Sequence, residues 1–236
     1  MSCRQKGKYY MTIEEAIRSR HTVRNYDGRA LEGETEKTLR SMMAAINEKT
    51  GLHFQFINGV TDALSPYTIR YGRWTGVTNY IALVGKDVPE LDELCGYYGE
   101  QLVLWAQQNG LKTGWVETLL QDAAKGVPVP EIKKGERLVL SICIGYSEKS
   151  GFAHKIKTVE EMSVVADPAH VPAWFRKGME YAVLAPTAGN QQLFKIHLDG
   201  DRLWIDTVPG FLEKDDVGIA KYHFELGSGV PHSRWA

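Results

Sequence analysis

The chain has 236 residues, enough for one large domain or two small ones. Hydrophobic residues make up 43% and charged residues 24%, a balance that excludes a wholly disordered chain. A net charge of −1, with no arginine-rich stripe carrying interleaved aromatics, argues against a nucleic-acid partner.

Thr12-Ile13-Glu14-Glu15 is a capping box and predicts a helix running to Ser19. Asp27-Gly28 marks a loop, and a second helix is expected from about Thr35 to Asn47, with Leu39, Met42, Met43 and Ile46 as its buried stripe. Phe54–Ile57 and Tyr80–Val84 read as strands, and Ser65–Thr78, with Pro66, Gly72 and Gly76, reads as loop. The longest helical pattern runs from Leu91 to Gln108, with Leu91, Leu94, Tyr98 and Trp105 on one side and Asn109-Gly110 as its C-cap. Leu138–Ile144 is nearly all apolar, as in a strand buried on both faces. A polar linker is expected from Ser147 to about Pro172. Beyond it come a helix over Ala173–Val183, strands at Phe194–Leu198 and Leu203–Thr207, and a helix over Val217–Leu226. This alternation predicts an α+β architecture. Helix-then-strand recurs between the two parts of the chain, which raises the idea of a degenerate duplication without sequence identity to back it.

Cys3, Cys95 and Cys143 are widely spaced and odd in number, so neither a zinc site nor a disulfide framework is expected. Residues 1–10 carry charge and lack the apolar core of a signal peptide, and no run reaches the roughly 18 apolar residues of a membrane helix. A soluble, cytoplasmic protein without a membrane partner is the expectation.

Three segments carry candidate chemistry. Arg20-His21-Thr22-Val23-Arg24-Asn25-Tyr26 places two guanidinium groups four residues apart, on one face if the first helix continues. Two such forks with a hydroxyl between them suit a phosphate dianion, although a solvated basic face has the same spacing. Pro186-Thr187-Ala188-Gly189-Asn190 is small, polar and turn-rich, and either admits a flat ligand or connects helix to strand. Gly110–Glu117 is a glycine-rich turn that either lays backbone N–H groups against a ring edge or acts as a cap. Lys155 and Lys157 either close an anion site or are solvated linker charges.

As a set, these segments resemble the flavin-dependent nitroreductase family. Its R-[RH]-[ST]-x-[RK]-x-[FY] motif is matched by Arg20 to Tyr26, and its P-S-[SA]-x-N-x-Q segment by Pro186-Thr187-Ala188-Gly189-Asn190-Gln191-Gln192 with one substitution. Its G-L-G-T-x-W turn is matched by Gly110-Leu111-Lys112-Thr113-Gly114-Trp115, and its basic tail by His154-Lys155-Ile156-Lys157. In the usual family the P-S-x-x-N segment follows the helix after the arginine motif, but Ala44–Gly51 lacks it here. Ordinary members are homodimers that build the flavin site from both subunits. The displaced segment therefore implies the branch in which an internal duplication mimics the dimer.

The resemblance implies a nitroreductase-like fold with a mainly antiparallel sheet flanked by helices. Residues 1–165 would form a first half carrying the phosphate-binding motif, and residues 166–236 a second half completing the site. It implies an FMN-dependent NAD(P)H oxidoreductase that reduces a nitroaromatic, quinone or similar small acceptor in ping-pong fashion, with NADH or NADPH as donor. Arg20, Thr22 and Arg24 would hold the phosphate and ribityl chain, His21 would sit beside them, and Lys155 and Lys157 would add charge. Pro186, Thr187 and Asn190 would line the other side of the isoalloxazine, with Val116 and Glu117 presenting backbone groups near its reactive edge. No side-chain acid or base is required, so no catalytic residue and no metal is expected. A monomeric pseudo-dimer is favoured, with a homodimer as the other arrangement. Alternatives are a dehalogenase, enoate-type reductase or flavin-cleaving enzyme on the same fold, or a flavin-binding module without catalysis.

Overall fold

The computed structural model describes residues 11–65, 67–69, 72–120, 127–208 and 213–236, so Cys3 and Pro66 lie outside the described residues. Glu15 N–H donates to the Thr12 hydroxyl (3.2 Å) and Thr12 N–H donates to the Glu15 carboxylate (2.8 Å), a reciprocal cap on α1 (Ile13–Ser19). The helix stops there. Arg20 is already extended (φ −71°, ψ 124°). The residues that follow run as an extended strip beside β4 (Lys112–Val116): Thr22 bridges Thr113 in parallel, and Val23 N–H donates to the Thr113 carbonyl at 2.9 Å. The expected helical continuation through Arg24 is therefore corrected. An extended chain returns to the same side every second residue, so an interval of four suits it as well as it suits a helix.

α2 (Gly33–Thr50) buries Leu39, Met43 and Ile46 and ends at Gly51, whose φ of 75° needs a residue without a Cβ. The main sheet has the order β1 (Gln55–Ile57), β3 (Tyr80–Lys86), β6 (Glu136–Gly145), β4, with every pairing antiparallel. β6 is paired on both edges and buries Val139, Leu140, Ile142, Cys143 and Ile144, which accounts for its unbroken apolar run. The expected loop from Ser65 to Thr78 contains a short strand, β2 (Tyr67–Ile69), which pairs with β5 (Thr118–Leu120). Likewise the expected glycine turn is a turn only at Asn109-Gly110. Lys112 already begins β4, and Gly114 sits in that strand where a Cβ would meet the Trp74 ring (2.7 Å) and the Val23 carbonyl (2.8 Å).

α3 occupies Leu91–Gln108. Leu91, Leu94, Tyr98 and Trp105 pack on the core under the main sheet. On another side of the helix, Gly96 and Glu100 meet the C-terminal part of the chain. The stretch read as a linker, Ser147–Pro172, holds α4 (Val159–Met162), capped by a Thr158–Glu161 box, then β7 (Ser163–Val165) and a 3-10 turn at Pro168–His170. β7 pairs in parallel with β8 (Phe194–Asp199), and β8 pairs antiparallel with β9 (Arg202–Thr207). The second sheet thus begins at Ser163, inside the 1–165 segment.

α5 (Ala173–Ala182) and α6 (Glu213–Ser228) cover that sheet, and α6 crosses α3 closely. Gly96 on α3 lies against the backbone of Asp215, and Gly218 on α6 lies against the backbone of Glu93 and Tyr97. A Cβ at either glycine would overlap the opposing carbonyl. The contacts are reciprocal, since each glycine meets the residue three positions before the other. Lys221 Nζ donates to Glu93 (2.6 Å) and the Tyr97 hydroxyl donates to Glu225 (2.5 Å), joining the same two helices. Among the described residues, no helix is long and apolar enough to cross a membrane.

Candidate functional site

Beside the crossing of α3 and α6, a cleft lies between the main sheet and the C-terminal part. Its walls are Thr22 and Arg24 from the extended strip, Trp115, Val116 and Glu117 from the end of β4, Pro186–Gly189, and Asp215, Asp216 and Ile219 from α6. Six residues singled out from sequence meet here: Thr22, Arg24, Val116, Glu117, Pro186 and Thr187. Trp115 packs against both hydrophobic cores, so the cleft lies on the seam between them.

The far wall is held by side chain to backbone contacts. Ala188 N–H donates to both oxygens of Asp216 (2.9 and 3.2 Å) and Gln192 N–H donates to the Thr187 hydroxyl (3.1 Å). The loop turns sharply, with positive φ at Gly189 (57°), Asn190 (55°) and Gln192 (51°). Asn190 is not a wall residue. Its amide donates to the Lys155 carbonyl at 2.8 Å, and Gln192 Nε2 donates to the same oxygen at 3.0 Å. Lys157 Nζ donates to the carbonyls of Gln191 (3.3 Å) and Gln192 (2.6 Å), while Lys155 is exposed. These contacts bind residues 155–157 to the loop. Gly151, a little earlier, touches the backbone and Cβ of Thr22 and His21 so closely that a Cβ would come within 2.7 Å. Residues 151–157 therefore tie the arginine segment to the Pro186 loop.

Arg20 is not among the cleft residues, and its side chain is only 2% exposed. Its Nε and Nη1 have no hydrogen-bond acceptor among the described residues. Glu100, fully buried on α3, is 3.9 Å from Nε, close enough for attraction and too far for a hydrogen bond. Burial lowers the proton affinity of Arg20, and the attraction of Glu100 opposes this. His21 Nδ1 and His154 Nε2 are also buried without partners among the described residues. Both imidazoles titrate below the usual range: burial comes first, then the charge of Arg20, with Lys112 acting on His21 and His21 acting on His154. Orphaned buried polar groups of this kind ask for a partner that the described residues do not supply. An anion meets that need.

Sequence reasoning passed over Asp215, Asp216, Glu100 and His223. Glu100 stands among apolar positions on a helix face, and His223 stands between Tyr222 and Phe224, both signals of a buried polar contact. Asp215 is 3% exposed and its Oδ1 has no partner among the described residues. Its carboxyl is pushed well above the usual range by burial first, then by Asp92 and Asp216, with Arg137 opposing.

The fold and site define a nitroreductase-like α+β protein. Residues 12–228 match the family model "Putative TM nitroreductase", and the chain belongs to that nitroreductase family. The crystal structure of a "putative nitroreductase" from Thermotoga maritima is similar at a TM-score of 0.62 and 23% identity, covering 96% of this chain and 88% of that one. A nitroreductase-like family protein from Bacillus cereus aligns at 0.48 and 16% identity, over 68% of this chain and 99% of its own. An FMN-dependent nitroreductase from Clostridium difficile R20291 aligns at 0.45 and 13%, over 59% and 90%. No curated protein matches the sequence.

Proposed function

We propose that this chain is an FMN-dependent NAD(P)H oxidoreductase of the nitroreductase type, with one complete flavin site built within a single chain. The observation that carries this reading is the cleft that joins the arginine segment, the end of β4 and the Pro186–Gly189 loop on one seam. Family membership supports an oxidoreductase, and the orphaned donors of Arg20 support an anionic end to its cofactor.

In this reading Arg20, Thr22 and Arg24 bind the phosphate and ribityl chain, with His21 and His154 as neutral neighbours and Lys155 contributing long-range charge. Lys157 and Asn190 hold the loop whose Pro186 and Thr187 face the ring. Val116 and Glu117 present the end of β4 to the ring's edge, where fixed backbone dipoles stabilise developing negative charge. A bound isoalloxazine supplies hydride exchange between NADH or NADPH and a small acceptor such as a nitroaromatic or quinone. Trp115, Leu140 and Ile219 line the cleft with apolar surface that keeps water from it.

The reciprocal glycine contacts of α3 and α6 support the pseudo-dimer, because they are the pattern a two-fold axis between paired helices produces. The test joins spectroscopy to mass. Purified protein should show a flavin spectrum that bleaches on anaerobic addition of NADH or NADPH, with one FMN per chain in a species of monomer mass by light scattering. A colourless protein that binds no added FMN refutes the flavin reading. Flavin lost whenever a dimer dissociates refutes the single-chain site.

A further inference from the structure

We propose that His223 is a positioning residue: it engages the Glu100 carboxylate so that the charge of Arg20 stays available to the terminal phosphate of a bound flavin nucleotide. The inference rests on the flavin reading above and assigns to that site two residues that never reach the cleft.

Arg20, Glu100 and His223 form a cluster with side-chain exposures of 2%, 0% and 0%. They come from three elements: the end of α1, the middle of α3 and the middle of α6. His223 Nδ1 lies 3.2 Å from the Tyr181 carbonyl oxygen, which can only accept, so Nδ1 carries a proton. His223 Nε2 lies 2.9 Å from Glu100 Oε1. That contact also needs a proton, because an imidazole lone pair facing a carboxylate oxygen is repulsive. Whether the proton rests on nitrogen or oxygen, the His223–Glu100 pair has no net charge. Trp115 Nε1–H donates to the other carboxylate oxygen at 3.1 Å. Both oxygens of Glu100 are thus engaged, and neither is hydrogen-bonded to Arg20.

The arithmetic follows: Arg20 contributes +1 and the pair contributes 0, so the cluster holds one net positive charge in the interior. An uncompensated buried charge is costly, and an anion placed against its free N–H groups relieves that cost. Without His223, Glu100 would be a bare buried carboxylate 3.9 Å from Arg20 and would neutralise it. A phosphate would then approach a neutral pair. His223 therefore acts through Glu100 on Arg20, and touches no ligand.

The experiment measures Kd for FMN and for riboflavin by flavin fluorescence in the wild type, His223→Gln, Glu100→Gln and the double variant. The ratio of the riboflavin constant to the FMN constant isolates the phosphate. His223→Gln should cut that ratio by about tenfold, the scale of one weakened charge-assisted contact. Glu100→Gln should leave it within about twofold, and adding Glu100→Gln to His223→Gln should restore it. Restoration by a second lesion is a result that a merely structural role does not produce. An unchanged ratio in His223→Gln, or a double variant as poor as the single, overturns the inference. If circular dichroism shows His223→Gln unfolded, Glu100→Gln decides: an unchanged ratio supports the inference. A ratio raised about tenfold means that Glu100 had been neutralising Arg20, and overturns it. A wild type that binds FMN no better than riboflavin refutes the phosphate reading itself.

Discussion

Gly96→Ala tests the helix crossing that brings α6 to the cleft. On a solvent-facing helix, this substitution stabilises by about 1 kcal/mol, because alanine loses less backbone freedom than glycine. Here the new methyl would overlap the carbonyl oxygen of Asp215 and lie 2.9 and 3.1 Å from its carbonyl carbon and Cα. All three obstacles are backbone, so no rotamer change relieves them and the helices must separate. Overpacking costs typically about 1–3 kcal/mol, and a backbone obstacle belongs at the upper end. After the propensity gain, a loss of about 2 kcal/mol remains, or a Tm lower by roughly 4–8 °C in a chain of this size. Gly218→Ala, which meets the Glu93 carbonyl and the Tyr97 nitrogen, should cost a similar amount. Because both variants part the same two helices, the double variant should cost less than the sum. Thermal and urea unfolding followed by circular dichroism measure all three. A Gly96→Ala protein as stable as the wild type, or more stable, would refute the crossing and with it the position of Asp215 on the cleft wall.

Two further predictions concern charge. Arg20→Ala and Arg24→Ala should each weaken FMN binding by about 1.5–3 kcal/mol while leaving riboflavin nearly unaffected, and a doubly substituted protein that purifies fully loaded with FMN would contradict this. Asp215 has its proton affinity raised by burial, then by Asp92 and Asp216, so its contribution to stability is full below the unfolded carboxyl value of about 3.9 and is lost as pH rises through the folded value. Asp215→Asn cannot ionise, so its Tm should gain on the wild type as pH rises; a constant difference between about pH 5 and about pH 9 would show that the carboxyl does not titrate there.

What the residues disclosed depended on how local the cause was. The Thr12 and Thr158 caps, the 3.6-residue period of α3 and the apolar run of β6 are set by neighbours in sequence, and three of these four could be placed from that alone. The Thr158–Glu161 box was equally explicit but lay in a polar stretch that read as linker. Arg20–Arg24 failed for a different reason. An interval of four is compatible with both helix and strand, and the pairing with Thr113 that decides it comes from more than 80 residues away. Asp215 on the cleft wall and Glu100 away from it could not be foreseen as functional residues, because their burial arises only where α3 and α6 cross. The short motifs, by contrast, marked positions that converge on one cleft, since their glycines and small side chains serve the close approach seen there.

In the proposed single-chain flavin site, the reciprocal crossing of α3 and α6 takes the place of a contact between subunits. A dimer interface must be rebuilt at every association, so its flavin affinity depends on protein concentration. Within one chain, the approach of the Pro186 loop to the arginine segment is enforced covalently. Residues 151–157 add a direct strap, with Gly151 seated on Thr22 and Lys157 bound to the loop carbonyls.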